Sequence, residues 1–186
     1  MRLIPRPKTI SFPEPYDDFT PNLTPRQIFQ SGAFGGTYFR KIYSSVNNKY
    51  YENVHKNYTS LKDIPDNILT IPFDKYNKSI NKYKVKVGST LEFWEDKNWI
   101  RPSHPYGWIQ WYIEFYERKG KKNKQMQDED RIQINRWKSL AGPNGRFRKQ
   151  LINRIRKQNT KFDNDAISPK IRQTLLHWGY ELTEND

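Results

Sequence analysis

Gly107-Trp108-Ile109-Gln110-Trp111-Tyr112-Ile113-Glu114-Phe115-Tyr116 is the stretch on which the fold class turns. Trp108, Trp111, Tyr112, Phe115 and Tyr116 stand at i, i+3, i+4, i+7 and i+8, the apolar stripe of an amphipathic helix over about 107–118. Helically spaced rings are core rather than a base-stacking platform, because each buried ring removes about 150–250 Å² from water. Nine of the 24 residues from Phe93 to Tyr116 are aromatic. That density offsets a hydrophobic content of only 34% in 186 residues, and an aromatic content of 15% excludes a chain disordered throughout.

Towards the C-terminus the pattern stays helical. Gln127 to Ala141 carries Asp128, Glu129 and Asp130 in its first turn, as the helix dipole prefers, with Ile134, Trp137 and Ala141 on one face. Ala141-Gly142-Pro143-Asn144-Gly145 breaks it, and a further helix spans about 145–158, with Phe147, Leu151 and Ile155 four apart. Ser168-Pro169 opens a last helix, Ile171, Leu175 and Trp178 inward, that Gly179 stops.

Towards the N-terminus, Ser89-Thr90-Leu91-Glu92 reads as a capping box opening a short helix over about 90–97. Trp94 and Trp99 flank a polar turn and are the aromatics expected to be exposed. Lys82 to Val87 alternates strictly, which predicts a short strand. Residues 33–60 read as loop with a short hairpin, and Thr24-Pro25 as the cap and first residue of a helix stopped at Gly32. Six prolines through Pro25 make 1–23 an extended arm. The expected architecture is a mainly α, compact helical domain over 24–182 with a small β element and a proline-rich N-terminal arm.

The net charge of +13 is unevenly placed. Segment 118–161 holds fifteen basic and three acidic residues, a net +12, whereas 1–117 nets +4 and 162–186 nets −3. Such a segment favours a polyanionic partner, nucleic acid first. Lys119, Lys121, Lys122 and Lys124 suit unspecific phosphate contact. The helices 128–141 and 145–158 with their five-residue break resemble a helix-turn-helix layout, with Arg146, Arg148 and Lys149 in the first turn of the second helix. Arg136, Arg156 and Lys157 complete the candidate contact set.

Other chemistry is thinly represented. There is no cysteine, which excludes disulfides, Cys-ligated zinc, iron–sulfur clusters and a thiol nucleophile, and fits an intracellular setting. No apolar run approaches a membrane span and no signal-peptide pattern opens the chain, so no membrane partner is expected. Gly32, Gly35 and Gly36 follow a helix rather than a strand, so a helix stop and tight turn fits them better than a phosphate cradle. His55, His104 and His177 lack metal-ligand spacing, and His177 has a carbonyl-bonding structural role as its default. No metal and no cofactor is expected. Glu114, in an aromatic helix, and Asp128, Glu129 and Asp130 are the acids an enzyme would use, but no nucleophile–base pair accompanies them.

One resemblance spans about residues 22–182. Phe34-Gly35-Gly36-Thr37-Tyr38-Phe39, Phe93-Trp94-Glu95-Asp96-Lys97-Asn98-Trp99-Ile100, Pro105-Tyr106-Gly107-Trp108-Ile109-Gln110-Trp111-Tyr112, Asp130-Arg131-Ile132-Gln133-Ile134-Asn135-Arg136-Trp137 and Arg172-Gln173-Thr174-Leu175-Leu176-His177-Trp178 follow in order. Together they resemble a family of uncharacterised proteins of large DNA viruses and various microbes. The resemblance implies one compact domain and a viral source, within a virion or infected cell, and brings no catalytic residue. Where that family often has Gly-Arg-Arg after the aromatic helix, this chain has Glu117-Arg118-Lys119-Gly120-Lys121-Lys122. The reading is a non-enzymatic nucleic-acid-binding protein. The alternatives are a structural or virion-associated interaction protein and a nucleic-acid-processing enzyme.

Overall fold

The structure is a computed structural model that describes residues 9–121, 124 and 126–186. Its first helix, α1 (Pro25–Gln30), starts as its sequence prescribes. The Thr24 hydroxyl accepts from the Gln27 amide (3.2 Å), and the Gln27 side chain accepts from the Thr24 amide (2.8 Å). Gly32 ends the helix at φ 72°, where a Cβ would stand 2.0 Å from the Ile80 carbonyl oxygen. Only glycine satisfies both the positive φ and that approach.

A hairpin follows, β1 (Ile42–Ser44) antiparallel to β2 (Lys49–Tyr51), with Tyr43 opposite Tyr50. Ile42 and Ser44 face inward, and the two exposed tyrosines pack across the strands as a tilted pair, centroids 5.0 Å apart. From Val54 to Ile80 the chain is a succession of 3₁₀ turns.

The strand expected at Lys82–Val87 does not form. Its alternation does bury Tyr83, but among the described residues no second strand lies beside it, and Lys84 adopts φ 57°. Its polar backbone groups turn to side chains: the Tyr83 amide donates to Gln173, and the Val85 carbonyl accepts from Asn81. Period-two patterning reports a half-buried extended segment, and pairing requires a neighbour. Helix α2 (Leu91–Asp96) is capped one residue later than expected. Thr90, not Ser89, accepts from the Phe93 amide.

Helix α3 (Trp108–Glu117) buries Trp108, Trp111, Tyr112 and Phe115, and also Ile109, Gln110 and Ile113. Burial this far round the helix makes it the axis of the core. Helices α4 (Gln127–Leu140), α5 (Arg146–Lys157) and α6 (Pro169–His177) pack beside it through Ile134 and Trp137, Leu151 and Ile155, and Leu175 and Leu176. The Trp137 indole donates to the Trp178 carbonyl, tying α4 to the end of α6.

Residues 9–23 hold neither helix nor strand, yet they complete this core. Phe12, Tyr16, Phe19 and Leu23 are buried in one cluster with α3 and α4. Asn22 binds both backbone groups of Glu181 through its side chain, and the amides of Asn22 and Leu23 donate to the Gly179 carbonyl.

His177 belongs to the core too, in a different role from the expected one. Among the described residues it bonds no carbonyl: Nε2 accepts from the Phe34 amide (3.3 Å) and the Gln173 side-chain amide (3.0 Å), and the ring stacks on Phe34 at 3.8 Å. Burial pushes its pKa down from 6.5 to about 3. The folded form therefore excludes a proton that the unfolded chain takes up below pH 6.5. Stability conferred by the neutral ring is complete above that value and is lost as pH falls towards 3. Urea titrations between about pH 6 and 4.5 should show stability falling by about 1.4 kcal/mol per unit through this group. The His177→Gln variant should lack that component, and an equal slope in both proteins would exclude His177 as its source.

Candidate nucleic-acid interface

The helices expected to carry the interface are present, and so is the turn between them. The amides of Ala141 and Gly142 both donate to the Trp137 carbonyl, and the Gly145 amide donates to Gly142 (2.8 Å). A Cβ on Gly145 would lie 2.5 Å from the Leu140 carbonyl carbon, so the two helix ends meet backbone to backbone. Its φ of −64° is ordinary; closeness of approach, not handedness, requires glycine.

Helix α5 turns Leu151 and Ile155 into the core, with Phe147 and Ile152 half-buried beside them. Arg146, Lys149, Arg156 and Lys157 are exposed and form no ion pair among the described residues. At 100° per residue Arg146, Lys149, Gln150, Asn153 and Lys157 fall on the face opposite the buried stripe, with Arg156 at its edge. Gln150 and Asn153 are the residues that charge counting passed over. An amide side chain on a groove-facing helix can pair with an adenine edge, and the helical periodicity that found Leu151 and Ile155 would have found them.

Arg148 and Arg136 are drawn into the fold instead. Arg148 Nε donates to the buried Asp186 carboxylate at 2.6 Å, and its guanidinium lies 4.3 Å from the centre of the Tyr180 ring. Arg136 donates to the Trp99 carbonyl and the Gln133 side chain, and burial lowers its pKa. Arg118 and Lys138 are likewise committed, to Asp130 and Asp18. Lys119, Lys121 and Lys124 are exposed, and Lys122 lies outside the described residues. This loop precedes α4, whereas Arg146 follows it. Fourteen residues of helix, about 21 Å long, lie between that loop and the turn that leads into Arg146. Of the ten basic residues singled out by sequence, Arg136 and Arg148 are held within the fold.

Of the acids read as a possible enzymatic centre, Asp130 and Glu129 are bound within the fold. Asp130 is fully buried and accepts from Tyr16, Trp111 and Arg118. Glu129 binds Arg101 and Gln133, and Asp128 is exposed beside Arg131. Among the described residues no three His, Cys, Asp or Glu side chains are arranged to hold a metal ion.

Glu114 is half-exposed and accepts from the Tyr58 hydroxyl (2.8 Å) while contacting His104 Nε2 (3.1 Å). His104 Nδ1 in turn meets the Ser103 hydroxyl at 2.9 Å. This Ser–His–Glu chain escaped sequence reading because Glu114 stands ten residues from His104, a spacing that signals no pairing. Its imidazole is buried, and Ser103 lines neither the cleft around Tyr76 and Trp94 nor the one around Tyr43 and Glu95. It braces the start of α3 against the 3₁₀ turns.

The glycine loop binds within the fold as well. The Gly35 amide donates to Asn81 (2.8 Å), and the carbonyls of Gly35 and Gly36 accept from Asn77 and Ile71. Among the described residues no helix is long and apolar enough to cross a membrane. Compared with known proteins, the chain matches no family model, no curated protein and no solved structure.

Proposed function

We propose that the chain is a mainly α-helical nucleic-acid-binding domain that meets its ligand through the exposed face of α5. The observation that carries this reading is the contrast along that helix. Arg148 is neutralised by Asp186, whereas Arg146, Lys149, Arg156 and Lys157 face solvent without a counter-charge among the described residues. Four uncompensated cations around Gln150 and Asn153 suit a phosphate-flanked groove, with the cations on phosphates and the amides on base edges. The exposed lysines of the loop before α4 add a second, sequence-independent contact.

Anisotropy titrations of labelled duplex and single strand over a salt series test the reading. Each phosphate neutralised contributes about −0.9 to the slope of log K against log salt for duplex DNA. Replacing Arg146, Lys149 and Lys157 together with Ala should reduce affinity by about tenfold or more and flatten the slope by about 2–3. Arg148→Ala should instead lower stability through loss of the Asp186 pair. Absence of binding by the intact protein at low salt, or an unchanged slope in the triple variant, would remove α5 as the contact surface.

A further inference from the structure

We propose that the cleft between Thr37–Ile42, the turn at Phe73–Tyr76 and the loop Lys86–Leu91 is a second site, for a nucleoside phosphate. The cleft has a volume of about 270 Å³, near the lower end of small-molecule pockets, and none of its lining residues comes from α5. It is separate from the proposed interface and does not rest on it.

Three observations define the ligand. First, accessible aromatic walls are supplied by the half-buried Phe34, Tyr76 and Trp94 and the exposed Phe73. A nucleobase presents a π-face to such walls whatever its identity, and stacking of this kind contributes about 1–3 kcal/mol per base. Second, two cations converge on one ring. The Arg40 guanidinium carbon lies 4.9 Å and Lys86 Nζ 4.8 Å from the centre of Phe73, and Lys86 Nζ lies 4.7 Å from Tyr76. The two charges are therefore within about 10 Å of each other, about one Debye length at ordinary salt, and repel. Third, neither has a carboxylate at ion-pair distance among the described residues.

Arg40 is half-buried and donates to the Thr37 carbonyl (3.1 Å), leaving guanidinium donors unspent. Burial lowers its pKa and the charge of Glu92 opposes that shift, without an ion pair between the two among the described residues. A phosphate settled between Arg40 and Lys86 would relieve the repulsion and use the planar fork of the arginine. An aromatic cleft of this size with cations beside it fits a base within and a phosphate beside the charges.

Tryptophan fluorescence, with Trp94 in the wall, and calorimetry against AMP test the site. AMP should bind saturably, and adenosine or inorganic phosphate alone about tenfold more weakly or worse. Lys86→Gln and Arg40→Gln should each weaken AMP by about fivefold or more and leave adenosine unchanged. Lys86 is exposed, so its variant keeps the assay decisive even if Arg40→Gln fails to fold. The α5 triple variant should bind AMP as the intact protein does, which separates this site from the interface. A 5′-phosphorylated pentanucleotide that displaces AMP at lower concentration assigns the cleft to a strand end; weaker displacement assigns it to free nucleotide. No saturable response up to about 10 mM AMP, equal binding of AMP and adenosine, or indifference of AMP to Lys86→Gln would overturn the proposal.

Discussion

Phe19→Ala should lower the unfolding free energy by about 3–5 kcal/mol, the range for emptying a fully buried aromatic site. Phe19 lies in a segment without helix or strand, but its ring is at the centre of the core. Its centroid is 5.0 Å from Trp137, 5.3 Å from Phe12, 5.5 Å from Phe115, 5.6 Å from Trp111 and 5.7 Å from Tyr112. Most of these pairs are edge-to-face, a geometry that contributes beyond area burial. Removing the ring opens a void bounded by large, rigid side chains on α3 and α4, which cannot collapse into it. Chemical denaturation measures the loss, and Phe19→Leu should recover a large part of it. The consequence reaches further: a chain beginning at residue 24 should not attain the native near-ultraviolet circular dichroism. A loss below about 1 kcal/mol for Phe19→Ala would make residues 9–23 an appendage to a core complete without them.

That segment marks where the sequence is legible and where it is not. Helical spacing located α3 through α6 within a residue or two, because apolar periodicity and Pro, Ser and Gly signals act through local physics. The hairpin among residues 33–60 was legible from turn residues. The Lys82–Val87 strand was not settled by its alternation, because pairing depends on a partner distant in sequence. Prolines predict an extended arm over 1–23, but they do not say whether Phe12, Tyr16 and Phe19 find a core to enter. The same limit governs the basic residues. Counting them located the +12 segment, but counting does not separate Arg148, which meets Asp186 across 38 residues, from Lys149 beside it, which faces solvent. Ion pairing is a tertiary property, and it selects which cations remain for a ligand.

Asp130 carries the second large expectation: Asp130→Ala should cost about 3–5 kcal/mol, the usual penalty for removing one partner of a buried charged pair. The carboxylate is fully buried and fully used. Oδ1 accepts from the Trp111 indole (2.8 Å) and from Arg118, and Oδ2 accepts from the Tyr16 hydroxyl (3.1 Å). Burial, with the nearby carboxylate, raises the Tyr16 pKa, so its hydroxyl stays a donor. One side chain thus joins residues 9–23, α3 and the first turn of α4. Alanine leaves an indole N–H, a phenol O–H and a partly buried guanidinium without their acceptor. Asparagine keeps the volume but replaces one acceptor by a donor and removes the charge, so Asp130→Asn should remain costly, by about 1.5–3 kcal/mol. The decisive measurement is a double-mutant cycle. Once Asp130 is alanine, Arg118→Ala should cost little or recover stability, because it removes a stranded charge. Additive losses would show that Arg118 and Asp130 act independently. If they are coupled, Arg118 is withdrawn from the basic segment as a contact residue, and Arg118→Ala should leave the salt slope of nucleic-acid binding where α5 and the preceding lysines set it.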